Sequence, residues 1–144
     1  EKRGFKVRAY DINPRAERIE QEDFLTRIVP AWYTMILITN PPYKDAKAFI
    51  RQAMIMAEHR PSGHRKRRDW PHFVAMLLRN EFDSAASRKE FFMDHPYFDT
   101  KIILTKRPRW IEGSTGSPRH NYAWFIWDWK RETANAAPTI RYAP

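Results

Sequence analysis

Residues 33–43 constrain this chain more tightly than any other stretch. The run Tyr33-Thr34-Met35-Ile36-Leu37-Ile38-Thr39 carries no charge and is rich in β-branched residues, the composition of a buried strand. Asn40-Pro41-Pro42-Tyr43 follows directly. Neither proline can donate to a ladder, and each restricts the residue before it, so the strand stops and leaves a rigid loop. Open α/β sheets place their ligands at such loops, outside the carboxyl ends of strands. This one offers a primary carboxamide, a fixed backbone carbonyl and an aromatic face. Those groups suit a flat heterocycle bearing an exocyclic amine.

The tetrapeptide resembles the catalytic motif of amino-group methyltransferases that use S-adenosyl-L-methionine, above all the DNA adenine (N6) methyltransferases. The resemblance implies a catalytic set of Asn40, Pro41, Pro42 and Tyr43, a sulfonium methyl donor as cofactor and DNA as partner. The chemistry explains why these residue types would serve. An aromatic amine is a poor nucleophile because its lone pair is delocalised into the ring. Two acceptors, the Asn40 side-chain oxygen and the Pro41 carbonyl, can hold both amine hydrogens and favour a more tetrahedral nitrogen, with catalysis by positioning and preorganised dipoles. Tyr43 would stack on a base rotated out of the duplex, since the amine cannot be reached inside the stack.

Further matches flank the motif in the family's order. Phe5-Lys-Val-Arg-Ala-Tyr10 alternates and ends in Asp11-Ile12-Asn13, after which Pro14 opens a short helical stretch. By resemblance this is the second strand of the family: Asp11 would accept from the ribose hydroxyls of the cofactor and Ile12 would pack on its adenine. Taken alone, Asp-Ile-Asn-Pro is equally a turn former. Arg18 to Leu25 resembles the short third strand and the acid after it, so that Asp23 would accept from the adenine amine and the Phe24 backbone would meet the ring edge. A solvated acidic turn is the alternative there, and Glu20 and Glu22 offer other registers.

The rest of the chain continues the alternation of helix and strand. Asp45 to Arg60 has apolar residues at helical spacing with Asp45 able to cap the start. A strand is expected over His72–Arg79, a helix over Ser84–Met93, and two strands over Lys101–Lys106 and Tyr122–Trp129 in a hairpin-like end. These six strands lead to an α/β fold, a Rossmann-like seven-stranded class I methyltransferase sheet with its first strand absent from this chain and an antiparallel C-terminal strand. None of the four glycines follows a strand to open a helix, so the family's Gly-rich cofactor loop is not represented. The expectation is a single methyltransferase domain over residues 1–144, incomplete at its N-terminus, with the missing part on a further segment or another chain. In the family's order the absent strand is central, so the six others would divide into two pieces with unpaired inner edges.

Composition narrows the partners. With no cysteine, a disulfide scaffold and thiolate metal sites are excluded, and the five histidines lack metal-ligand spacing. No run is apolar enough to span a bilayer, and the resemblance implies a soluble cytoplasmic protein. Of the net charge of +9, residues 1–30 hold only +1 (seven Lys/Arg against six Asp/Glu). The excess lies downstream, in Arg60, Arg65, Lys66, Arg67 and Arg68 of a basic loop at about 60–71, and in Lys101, Lys106, Arg107 and Arg109, with Arg119 in a Gly/Ser loop at about 109–121. Phosphates are the obvious counterpart, and Trp110, His120 and Tyr122 add aromatic and hydrogen-bonding groups suited to recognition. Two other readings stay open: an RNA adenine or protein glutamine methyltransferase using the same tetrapeptide, and a non-catalytic nucleic-acid-binding remnant.

Overall fold

A computed structural model describes residues 7–28, 36–58, 73–109, 115, 119–130 and 134–144 of the chain. The architecture is mixed α/β, and the strands fall into two sheets. Strands β1 (Ala9–Asp11) and β2 (Ile19–Gln21) form a two-stranded parallel sheet. Five strands form the larger sheet: β3 (Ile36–Thr39), β4 (Phe73–Arg79), β5 (Phe98–Leu104), β6 (Tyr122–Asp128) and β7 (Thr139–Ala143). Their order is β3-β4-β6-β5-β7. Only β6 runs against its neighbours, pairing antiparallel with β4 from Phe73↔Asp128 to Arg79↔Tyr122 and with β5 on its other side. The other two pairings, β3 with β4 and β5 with β7, are parallel. The ends of β3, β4, β5 and β7 and the start of β6 therefore share one edge of the sheet.

Helix α1 (Ala46–Glu58) joins the parallel pair β3 and β4, as a parallel crossover requires. Of its buried residues, Ala46, Ile50, Ala53, Met54 and Ala57 recur at helical spacing and turn one face to the sheet, and Met56 is buried beside them. Between its flanks β4 is buried at five consecutive positions, Val74 to Leu78, as befits a strand with neighbours on both edges. An aromatic cluster closes the far side of the core: Phe92 lies 5.1 Å from Phe98, 5.2 Å from Phe125 and 5.6 Å from Trp127, ring centre to ring centre. Trp127 is fully buried, and its indole N–H donates to the Phe91 carbonyl at 2.7 Å. That bond satisfies the one polar group the ring brings into the core.

Several expectations need correction. The run before the tetrapeptide is not a buried strand: residues 29–35 lie outside the described residues, and in β3 Ile36 and Ile38 are 56% and 63% exposed. The cause is position, because β3 is the end strand of its sheet and pairs only with β4 among the described residues. Pro14 opens a turn rather than a helix, closed by the Ile19 N–H on the Ala16 carbonyl at 3.0 Å. Asp45 sits inside a 3₁₀ turn, Tyr43–Asp45, that leads into α1. The helix expected over Ser84–Met93 is instead two 3₁₀ segments, Asn80–Ser84 and Ala86–Phe91, broken at Ala85, whose backbone is extended. A seventh strand, β7, was not anticipated, and it rather than the antiparallel β6 comes last.

Among the described residues no helix is long and apolar enough to cross a membrane. The small sheet is tied to α1 at two points. Phe24 stacks on Phe49 with centroids 5.0 Å apart and planes at 14°, and the Gln52 amide donates to the Arg27 carbonyl at 2.9 Å. Arg27 in turn pairs with Glu22 at 2.8 Å and lies over the Tyr10 ring at 3.9 Å, so the segment after β2 is held on both sides.

Candidate active site

The tetrapeptide leaves the carboxyl end of β3 as Pro41 goes into the interior and Pro42 stays exposed. The Asp45 N–H donates to the Pro42 carbonyl at 3.0 Å, closing the 3₁₀ turn that carries Tyr43 back over the loop. No described residue donates to the Pro41 carbonyl. Asn40 is exposed, and its Oδ1 accepts a hydrogen bond from the Tyr43 hydroxyl at 3.1 Å. That bond fixes the carboxamide rotamer and leaves Oδ1 one further lone pair.

Tyr43 is half-buried. Its ring lies 5.6 Å from that of Tyr122, at 34°, and the Arg79 guanidinium sits 5.8 Å from its centre. Burial pushes the Tyr43 hydroxyl well above its ordinary value, hydrogen bonding and electrostatic interaction with Tyr122 push the same way, and Arg79 opposes them. The hydroxyl therefore stays protonated and donates at any working pH. Sequence reasoning missed Arg79. It ends the apolar strand β4 as Asn40 follows β3, and that repeated placement at a strand's carboxyl end was the available signal.

The same edge collects the downstream cations. The Asn80 N–H donates to the Asn121 carbonyl at 3.0 Å, and Arg107 Nε donates to Asn121 Oδ1 at 2.7 Å, which anchors the ends of the 107–121 segment beside the tetrapeptide. Arg107, Arg109 and Arg119 are all exposed. Lys101 is not available to a partner: it is largely buried, spans to both oxygens of Asp83 at 2.8–2.9 Å and donates to the Asn80 carbonyl. Arg65, Lys66, Arg67 and Arg68 lie outside the described residues.

The remaining candidates gather at the carboxyl ends of β1 and β2. Asp11 ends β1, exposed, with one carboxylate oxygen accepting the Asn13 N–H at 2.7 Å in an Asx turn and its carbonyl accepting from Glu22 at 3.0 Å. Its other oxygen takes no bond from the described residues and remains able to accept. Ile12 is 57% exposed beside it. Asp23 likewise turns on itself, with Oδ1 taking the Leu25 N–H at 2.9 Å, while the Phe24 ring faces Phe49 and leaves only its backbone to a ligand. A carboxylate oxygen, an exposed apolar side chain and a second carboxylate suit a ribose and a flat base, so the donor set fits the nucleoside half of S-adenosyl-L-methionine. Among the described residues no group of three His, Asp or Glu is placed to hold a metal ion. In comparisons with known proteins the chain matches no family model, no curated protein and no solved structure.

Proposed function

We propose that this chain methylates the exocyclic amine of adenine in DNA. The observation that carries the reading is the pair of acceptors at the end of β3: Asn40 Oδ1, oriented by the Tyr43 hydroxyl, and the Pro41 carbonyl, which takes no hydrogen bond from the described residues. S-adenosyl-L-methionine, when bound, supplies an electrophilic methyl group, so the protein needs no nucleophile of its own. Asn40 and Pro41 take the two amine hydrogens and turn the nitrogen lone pair out of the ring. Pro42 closes the turn that brings Tyr43 over the loop, and the Tyr43 ring gives the extruded base a stacking surface. Asp11 and Ile12, with Asp23 and the Phe24 backbone, hold the nucleoside of the methyl donor at the neighbouring strand ends.

Two features of the architecture support the reading. A methyltransferase sheet without its central first strand would divide into two strands and four; the two-stranded parallel sheet matches the smaller piece, and the five-stranded sheet matches the larger with β7 added outside β5 and the single antiparallel strand β6 between β4 and β5. Arg107, Arg109 and Arg119 surround the tetrapeptide's edge of the sheet and favour a nucleic acid over a glutamine side chain as substrate.

Radiolabel transfer from S-adenosyl-L-methionine to unmethylated duplex DNA tests the reading, using the full-length gene product. Asn40→Ala is expected to lower turnover by at least about a hundredfold, as losing a preorganised transition-state contact does, with methyl-donor affinity held within a few-fold. Near-normal turnover in that variant would remove the amine-holding role. Label on RNA or on a glutamine amide in place of DNA would move the same chemistry to another substrate.

A further inference from the structure

Arg79 is exposed, and among the described residues it has no carboxylate partner; its one described neighbour of note is the Tyr43 ring, 5.8 Å from the guanidinium. Its backbone is rigid. Arg79 pairs with Tyr122 at the last rung of the β4–β6 ladder, the next residue donates to Asn121, and Lys101 with Asp83 fixes the carbonyl after that. A structural cation at such a place would be expected to meet an acid, yet Asp83, the acid of this network, is spent on Lys101. What Arg79 flanks is an aromatic face at the open edge of the sheet.

We infer that Arg79 is a phosphate-binding residue, contacting the backbone of the same nucleotide whose base stacks on Tyr43. The inference rests on the nucleic-acid reading above and assigns the anchor that reading lacks. A base is joined to its phosphate through one sugar, so a cation beside the stacking ring lies within reach of that phosphate. A guanidinium suits the task because it binds phosphate in bidentate fashion and keeps its charge at any pH. The same group can brace Tyr43 by its cation–π contact before substrate arrives. Fixing both ends of one nucleotide places the extruded base against Asn40 without any base-specific contact.

The test is the salt dependence of duplex binding for the wild type, Arg79→Gln and Arg79→Lys, read by fluorescence anisotropy, with kcat and KM measured alongside. In Arg79→Gln the slope of log affinity against log salt is expected to fall by about 0.9, the signature of one lost phosphate contact, with affinity about three- to tenfold weaker for every sequence tried. Arg79→Lys should restore the slope, because the charge returns. An unchanged slope in Arg79→Gln with a reduced kcat would overturn the inference and leave Arg79 as a brace for Tyr43 alone, the methyltransferase reading intact. Wild-type protein that does not bind nucleic acid at any salt would overturn both.

Discussion

Asn40 and Tyr43 form a unit whose logic is acceptor and pin. A carboxamide on an exposed loop residue samples rotamers freely, and ordering it costs entropy at each encounter. The Tyr43 hydroxyl removes that cost by holding Oδ1 at 3.1 Å, and its raised ionisation range keeps the proton where the bond needs it. Tyr43→Phe keeps the ring and loses the pin, so kcat should fall by about tenfold, the value of roughly one hydrogen bond, while affinity for DNA changes little. Loss of DNA affinity with kcat intact would mean that the hydroxyl touches substrate and does not orient Asn40. The tetrapeptide was legible in the sequence because each of its residue types acts locally: two prolines end a strand wherever they stand. For Arg79 the sequence shows only its place at the end of an apolar strand; its nearness to Tyr43 follows from the pairing of β3 with β4, which no local pattern announces.

At the scale of elements, the sequence disclosed most where burial is periodic. α1 and β6 lie where their apolar patterns put them, α1 by helical spacing and β6 by its dense run of aromatics between Tyr122 and Asp128. β7 escaped notice because Thr139 to Tyr142 are all exposed, so no apolar alternation distinguishes it; its evidence in the fold is purely the ladder to β5. The 80–92 region misled for a related reason. Its phenylalanines Phe82, Phe91 and Phe92 are core residues, but a break at Ala85 delivers them to the cluster, not one continuous helix. The joint between the small sheet and α1 is the element contact on which the residues proposed to hold the nucleoside depend. Phe24→Ala removes the stack on Phe49 and should cost about 1–3 kcal/mol of stability in urea unfolding, less than a fully buried Phe because the ring is half-exposed. It should also weaken methyl-donor binding with the Asn40 chemistry unaffected. Unchanged donor affinity in a destabilised variant would disconnect that joint from the site.

For the molecule as a whole, acid sensitivity has an identifiable contributor in His95. The ring is packed between Tyr97 and Trp129 with a side chain only 10% exposed, and Nδ1 accepts the Tyr97 N–H at 3.3 Å, which leaves the proton of the neutral form on Nε2, 3.9 Å from Glu58. Burial lowers its ionisation range below the ordinary 6.5, and the nearby Glu58 carboxylate does not reverse it. The unfolded chain then binds the proton more readily than the folded one, so this contribution is fully present above about 6.5 and is lost as pH falls below it. His95→Asn should flatten the dependence of Tm on pH in that window; an unaltered slope would assign the acid sensitivity to other groups. The edge of β3 bears on a different stage of the protein's existence. Ile36 and Ile38 stand exposed on a strand that pairs with only one neighbour among the described residues, which is the geometry of a template for any extended chain that drifts past. A strand paired along β3 would serve two ends at once, completing the ladder and keeping neighbouring copies from aggregating along it.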